Sequence, residues 1–253
     1  MKIAVCLKQV PSREWHPRLN DDRTWIREQD VSYEMNEPDA YALEEALRLR
    51  EKHTGEVVVC SAGPARVQQV IREALARGAD RAVHVEDDRL AAADAFITAD
   101  ALAAAMTGER FDLVLTGLQS DDLGQAQTGV VLAERLGIPH STIIMDVQIE
   151  GTSLRVKREL EGGWFQWIAM PLPALLTIQS GINQLRYATL KGIMAAKKKE
   201  IRKVAMPSDL RPNQTIVSLD VPSRAKRTHM INGSAGEAAK ELTRLLREEA
   251  RVL

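Results

Sequence analysis

The stretch Ser120–Gly129, SDDLGQAQTG, carries residue types that can hold a small polar ligand. It runs from a short apolar segment into a helical pattern. The free N–H groups and the dipole at a helix start favour an anion such as phosphate. Gly124 and Gly129 let the backbone approach closely, and Gln127 and Thr128 can donate to phosphate oxygens. Asp121 and Asp122 would repel phosphate, so they suit ribose hydroxyls or bracing of the loop. The chain has neither a Walker sequence nor GxGxxG. A polar capped loop without a ligand is therefore an equal reading. Two further places offer phosphate or adenine chemistry. Lys8 could neutralise a phosphate, or be a solvated lysine at a strand end; Ser61–Pro64, SAGP, could shape an adenine pocket, or simply turn a strand into a helix.

A second kind of chemistry is suggested by Gln179–Lys199, QSGINQLRYATLKGIMAAKKK. Tyr187, Leu190, Ile193 and Met194 stand together between turn residues and the lysines at 197–199. A folded domain hides such side chains or scatters them singly, so a grouped set on a surface arm suits partner docking. The lysines are either a solvated face or a means of steering an acidic partner.

No metal-ligand set stands out, and neither does a Ser/His/Asp set, although one sequence leaves a triad open. The five histidines, His16, His53, His84, His140 and His229, are scattered and read as surface or supporting residues. There is no Cys-x-x-Cys and no His/Cys grouping with metal-ligand spacing. Cys6 and Cys60 each lie in an apolar run and are expected as buried free thiols.

The elements that must position these residues follow a βα alternation. Ile3–Leu7, Val57–Cys60, Ala82–Val85, Leu113–Leu115 and Ser141–Val147 are short apolar runs of strand type. Between them lie four helical patterns. Asn36 stands at the N-cap position of the first, which has Ala42, Leu43, Ala46, Leu47 and Leu49 inside and Glu44, Glu45, Arg48 and Lys52 outside. Pro64–Ala76 ends at Gly78, Ala91–Met106 is alanine-rich, and Thr128–Leu136 ends at Gly137. This spacing predicts a doubly wound, mostly parallel α/β sheet with ligands beyond the carboxyl ends of the strands. After Val147 the alternation stops. Glu150-Gly151 and Glu161-Gly162-Gly163 predict turns of a β-hairpin extension, and Ala174–Gln179 one more strand. Residues 200–223 read as a polar extended tail, and Ala235–Arg251 as an amphipathic helix with Ala238, Ala239, Leu242, Leu245 and Leu246 on one face. The chain divides into an α/β domain with the hairpin extension over 1–185, a docking loop over 186–199 and a C-terminal extension over 200–253.

With 253 residues, 45% hydrophobic and 27% charged, the composition is that of an ordinary globular protein. Aromatics make up only 4%, so the core must be aliphatic. A net charge of −1 implies no bulk attraction to nucleic acid or membrane. MKIAVCLKQV is too short an apolar run for a signal peptide or a membrane span, so a cytoplasmic location without membrane insertion is expected.

Several segments together resemble one family, the β (small) subunits of electron transfer flavoproteins. MKIAVCLKQV is similar to their first strand, and MNEPDAYALEEALRLRE to their first helix. CSAGP, ALARGADRAVHV and GLQSDDLGQAQTG resemble the second strand, the third strand and the AMP-binding loop. VKRELEGGWFQWIAMPLPALLT fits the signature pattern through Arg158, Glu159, Gly162, Gly163, Pro173 and Thr177. INQLRYATLKGIMAAKKK resembles the recognition loop, and RAKRTHMINGSAGEAAKEL the C-terminal part of the methylotroph form. The resemblance implies an adenine-nucleotide-binding α/β fold and an electron carrier rather than an enzyme. It implies a heterodimer in which a larger α subunit holds most contacts to FAD, while this subunit binds a structural AMP. The C-terminal extension would wrap onto the α subunit, and flavin dehydrogenases would be the docking partners.

Carried over residue by residue, the AMP contacts fall on Cys6, Asn36, Ala62, Asp122, Gln127, Thr128 and Gly129, with Leu123, Gly124, Gln125 and Ala126 in the same loop. Leu123–Ala126 depart from the acidic residues usual there. The docking leucine corresponds to Leu190, with Tyr187, Ile193 and Met194 around it. Arg13 and Pro38 stand where some β subunits point aromatic residues at FAD. Ala126-Gln127 agrees with the loop of bifurcating members that bind a second FAD instead of AMP, but Thr128 follows the AMP type. Two rivals are a stand-alone adenine-nucleotide sensor, for which the arm would have no purpose, and a nicotinamide-dependent enzyme, whose fingerprint is missing.

Overall fold

The computed structural model describes residues 1–222 and 228–253. Residues 223–227, which include the end of the expected tail and the start of the methylotroph-like segment, lie outside the described residues. The chain forms two compact units, Met1–Leu219 and Asp220–Leu253.

The first unit begins with β1 (Lys2–Cys6), followed by β2 (Gln9–Pro11), β3 (Tyr33–Met35) and α1 (Glu37–His53). The βα alternation then continues through β4 (Glu56–Gly63), α2 (Gln68–Arg77), β5 (Arg81–Glu86), α3 (Ala95–Met106), β6 (Leu113–Gly117) and α4 (Thr128–Leu136). It gives way to β7 (His140–Glu150), β8 (Ser153–Glu159), β9 (Phe165–Pro171) and β10 (Ala174–Ile178), then α5 (Leu190–Ala196) and β11 (Ile201–Val204). Among the described residues, nine strands form one sheet in the order β11-β5-β4-β1-β6-β10-β7-β8-β9. β11 through β7 pair in parallel, and β8 and β9 extend the sheet antiparallel. The small β2-β3 sheet is antiparallel and separate.

The chain leaves β1 toward β4 and β5 on one side, then crosses back to β6 on the other. The reversal lies between β1 and β6. Neighbouring connections there diverge to opposite faces and leave a crevice beyond the carboxyl ends of both strands. Ile3, Leu43, Leu47, Ile71, Leu75 and Leu115 pack one face of the sheet, while Ala4, Val58, Val83, Leu102, Val114 and Leu132 pack the other. With so few aromatic residues, β-branched strand residues and Ala/Leu helix faces fill the space between layers.

Several sequence expectations change in the fold. β4 continues through Gly63, so Ser61-Ala62-Gly63 is strand rather than turn; Ser61 is buried and donates its hydroxyl to Leu7 O at 2.6 Å. α3 starts at Ala95, where the Asp94 carboxylate accepts the Ile97 N–H at 2.8 Å, four residues later than its alanine pattern suggested. Glu44 is buried, not on an outer face, because Arg48 and Arg186 both reach it. His84 is also buried, with Nε2 3.0 Å from Gly63 O, and is no surface residue. Ile201–Val204, within the stretch expected as a polar tail, forms an edge strand paired with β5. An edge strand needs only one apolar face, so its Arg202 and Lys203 hid it from a search for apolar runs.

In the second unit, α6 (Ala235–Glu248) starts with a capping box between Ser234 and Glu237, and none of its residues is buried.

Candidate functional site

The crevice at the sheet reversal is floored by the ends of β1, β4 and β6. Cys6, Leu7 and Lys8 come from the first, Ala62 from the second, and Thr116 and Gly117 from the third. Asn36 and Asp39 close it from the start of α1. Leu123, Gln125, Ala126, Gln127, Thr128 and Gly129 line the side formed by the loop and the start of α4. Of the expected ligand residues, only Asp122 and Gly124 lie off this lining. Asp122 instead pairs with Lys8 Nζ at 2.7 Å and accepts the Leu123 N–H at 2.8 Å. Gly124 has φ +61 and donates its N–H to Ser120 O at 2.8 Å, so its service is to turn the loop.

Side chains directed at backbone groups hold the loop. Asn36 takes the N-cap position of α1 but makes no side-chain cap bond. It donates to Gln119 O at 3.0 Å and accepts the Asp121 N–H at 2.9 Å, clipping the loop from both directions. Asp121 in turn accepts the first N–H of α1, from Glu37, at 3.2 Å, and Arg13 reaches both Asp121 and Glu37. Asp121 and Asp122 thus both brace the loop. Lys8 is engaged by Ser120 and Asp122 and is neither simply solvated nor a free cation.

Asp39 was not singled out from the sequence, yet it ties the crevice together. One carboxylate oxygen accepts the Lys8 N–H at 2.7 Å and the other the Gly117 N–H at 2.9 Å, joining the ends of β1 and β6. Burial raises its pKa to about 7, against the lowering effect of those two N–H groups and of Asn36. The available signal was an acid in the first turn of a helix, which is too common to identify a structural pin.

Two glycines are required by the space the chain itself leaves. A Cβ on Gly117 would stand 2.5 Å from Asp39 Oδ1 and 2.7 Å from the backbone of Pro38 and Asp39. A Cβ on Gly129 would stand 2.7 Å from Thr116 Oγ1 and 2.8 Å from Thr177 Cγ2. Gly129 thus seats the start of α4 on the sheet. No side chain caps α4, so its first N–H groups are available at the crevice. The opposite wall is apolar, made by Leu90, Ala93, Ala95 and Leu102, none of which the sequence marked out as lining.

Cys6 and Cys60 are buried free thiols and register partners on β1 and β4. Burial pushes both up, Cys60 to about 12. Among the described residues no group of His, Cys, Asp or Glu is arranged to hold a metal ion. No helix among them is long and apolar enough to cross a membrane.

The apolar set on the second segment is exposed: Tyr187 by 90%, Leu190 by 80%, Met194 by 64% and Ile193 by 45%. Leu190, Ile193 and Met194 lie on α5, where Thr189 caps the helix by accepting the Gly192 N–H at 3.0 Å. The arm is therefore not free chain. Lys199 in particular is half-buried, and donates to Leu75 O and Ala79 O at the end of α2. Lys197 and Lys198 are exposed.

An open, doubly wound α/β sheet, with a crevice at its reversal and an antiparallel extension, defines the structural class. The chain belongs to the electron transfer flavoprotein family, as a β subunit: the family model described as electron transfer flavoprotein domain matches residues 24–209. It is 36% identical to the electron transfer flavoprotein subunit beta of Methylophilus methylotrophus, over 98% of each chain. It is 37% identical to the human protein of that name, over 100% of this chain and 99% of the other. The Thermoanaerobacterium thermosaccharolyticum protein of that name is also 37% identical, over 97% of this chain and 98% of its own.

Proposed function

We propose that this β subunit holds a structural AMP in the crevice, while its α5 segment docks flavin dehydrogenases whose electrons pass to FAD held mainly by the α subunit. The observation that carries the nucleotide reading is the convergence of the expected ligand residues, all but Asp122 and Gly124, on one crevice under the uncapped start of α4. The residues fit such a ligand. The α4 N–H groups, with Gln127 and Thr128, meet the phosphate. The wall of Leu90, Ala93 and Leu102 suits the base. Lys8 is held by Asp122, so the phosphate is met by N–H groups and a helix dipole rather than by a free ammonium.

FAD supplies the redox chemistry when bound. This chain contributes the nucleotide-braced scaffold and the docking face. Burying Leu190 in a partner pocket is worth roughly 1.5–3 kcal/mol before ordering costs, enough for an encounter and weak enough for release. The exposed Lys191, Lys197 and Lys198 raise the association rate with an acidic partner rim.

The test is the nucleotide content of the purified complex with the α subunit, released by heat and separated beside flavin and AMP standards. One FAD and one AMP per complex is the expected result. Two FAD and no AMP would overturn the AMP reading and make the complex a candidate bifurcator.

A further inference from the structure

The segment between β10 and β11 shows an imbalance. From Tyr187 to Ala195 no residue is buried; the apolar anchors lie just outside, at Ile182, Leu185 and Ala196, which pack on the core. Polar clamps at both ends add direction to them. At the first end, the Arg186 guanidinium spans two carboxylates of α1. Its Nε and Nη2 bond Glu44 at 2.9 and 3.1 Å, and its other contacts reach Glu51. The Arg186 backbone N–H also donates to Glu44, at 3.1 Å. Asn183, three residues earlier, donates to Tyr41 O and to Glu45, both at 3.1 Å.

At the second end the exchange is reciprocal. Arg72 of α2 donates to Ala196 O at 2.5 Å and Lys199 O at 2.8 Å. Lys199 donates back to Leu75 O at 3.0 Å and Ala79 O at 2.5 Å. Between the clamps Gly192 lies so close to α2 that a Cβ there would stand 2.2 Å from Ala76 O. A planar fork bridging two carboxylates fixes direction as well as distance, which a lysine at 186 could not do.

We propose that Arg186 is a positioning residue for docking: with Glu44 and Glu51 it holds the segment in its binding shape, so that Leu190 meets a partner already ordered. The proposal rests on the docking role given to Leu190 above. Ordering costs that would otherwise fall on association are met within the subunit.

The experiment uses the complex with the α subunit, carrying Arg186→Gln, Arg186→Lys, Glu51→Gln or Leu190→Ala. Hydrogen exchange of the N–H groups of residues 187–196 is read first, without any partner. It is expected to speed up in Arg186→Gln, less in Arg186→Lys and in Glu51→Gln, and to be unchanged in Leu190→Ala. The second reading is reduction by a purified flavin dehydrogenase that reduces the wild-type complex. Arg186→Gln should raise the half-saturating carrier concentration about ten-fold with the maximal rate unchanged, the size expected for ordering a few side chains on binding. The double variant Arg186→Gln/Leu190→Ala should be no worse than Leu190→Ala, because Arg186 acts through the presentation of Leu190. Unchanged exchange in both Arg186→Gln and Glu51→Gln would overturn the clamp. Faster exchange with unchanged half-saturation would make it a purely structural clasp and overturn the positioning role. No effect of Leu190→Ala on half-saturation would instead refute the docking reading itself. Glu51 is half-exposed, so its variant keeps the test open should Arg186→Gln leave the buried Glu44 too poorly paired to fold.

Discussion

The crevice and the α5 segment solve opposite problems. In the crevice the side chains that hold the frame are turned toward backbone: Asn36, Asp39 and Asp121 all bond main-chain groups of other elements. Its glycines are spaces that another chain segment already fills. On α5 the side chains that matter bond nothing and face outward, while charged groups at the two ends hold the frame. A site built on backbone contacts tolerates little change in volume. A site built on exposure tolerates much, and loses only what the removed side chain gave to its partner.

Gly117→Ala should show the largest effect. Its Cβ meets backbone and a buried carboxylate with no flexible end to move aside, so a loss of about 3 kcal/mol in urea unfolding, with loss of bound nucleotide, is expected. A change near zero would mean that the crevice is softer than its contacts imply, and the contrast with α5 would collapse. Leu190→Ala should leave folding and nucleotide content unaltered. It should weaken docking by about 1.5–3 kcal/mol, read as a rise in half-saturation with a dehydrogenase. A loss of fold in this variant would show that the exposed face is structural after all.

Asp39 sharpens the comparison through pH. Its folded pKa of about 7 lies above the ordinary value of 3.8, so between these values the folded chain holds a proton that the unfolded chain has released. That contribution to stability is complete below about pH 4 and is lost as pH rises to about 7. Asp39→Asn should flatten this part of the stability profile. At pH 4 it should change stability little, because an amide, like the protonated carboxyl, offers one acceptor oxygen and one donor group to the two N–H groups. An unaltered profile would mean that the carboxylate is not the titrating pin of the crevice. The smallest effect is on the thiols. Cys6 and Cys60 should resist iodoacetamide at pH 8 in the folded complex and react in urea, since burial both raises their pKa and blocks access. Prompt labelling of Cys6 in the folded complex would show that the crevice opens more than its contacts allow.

Much of this was legible in the chain. Runs such as Ile3–Leu7 and the capped pattern from Asn36 gave strands and helices because burial on both sheet faces demands continuous apolar stretches. The hairpin showed in Glu150-Gly151, which sits at a tight turn with φ +64 at the glycine. β11 did not show, because its one-sided burial leaves no apolar run. Glu44 and Asp39 were misread or passed over for a related reason. Helical periodicity ranks carboxylates as surface, and their partners Arg186 and Gly117 are far off in sequence.

The sequence by itself determined the alternating α/β order, the family, the loop from Ser120 to Gly129 and the grouping of Tyr187, Leu190, Ile193 and Met194, because each is written in contiguous residues. Only the tertiary structure decided that Asp122 holds Lys8, that Gly129 makes room for Thr116 and Thr177, and that Arg186 and Lys199 anchor the exposed segment. Those roles depend on which distant residue comes within about 3 Å, the reach of a hydrogen bond. That distance is set by the packing of layers and not by any local pattern.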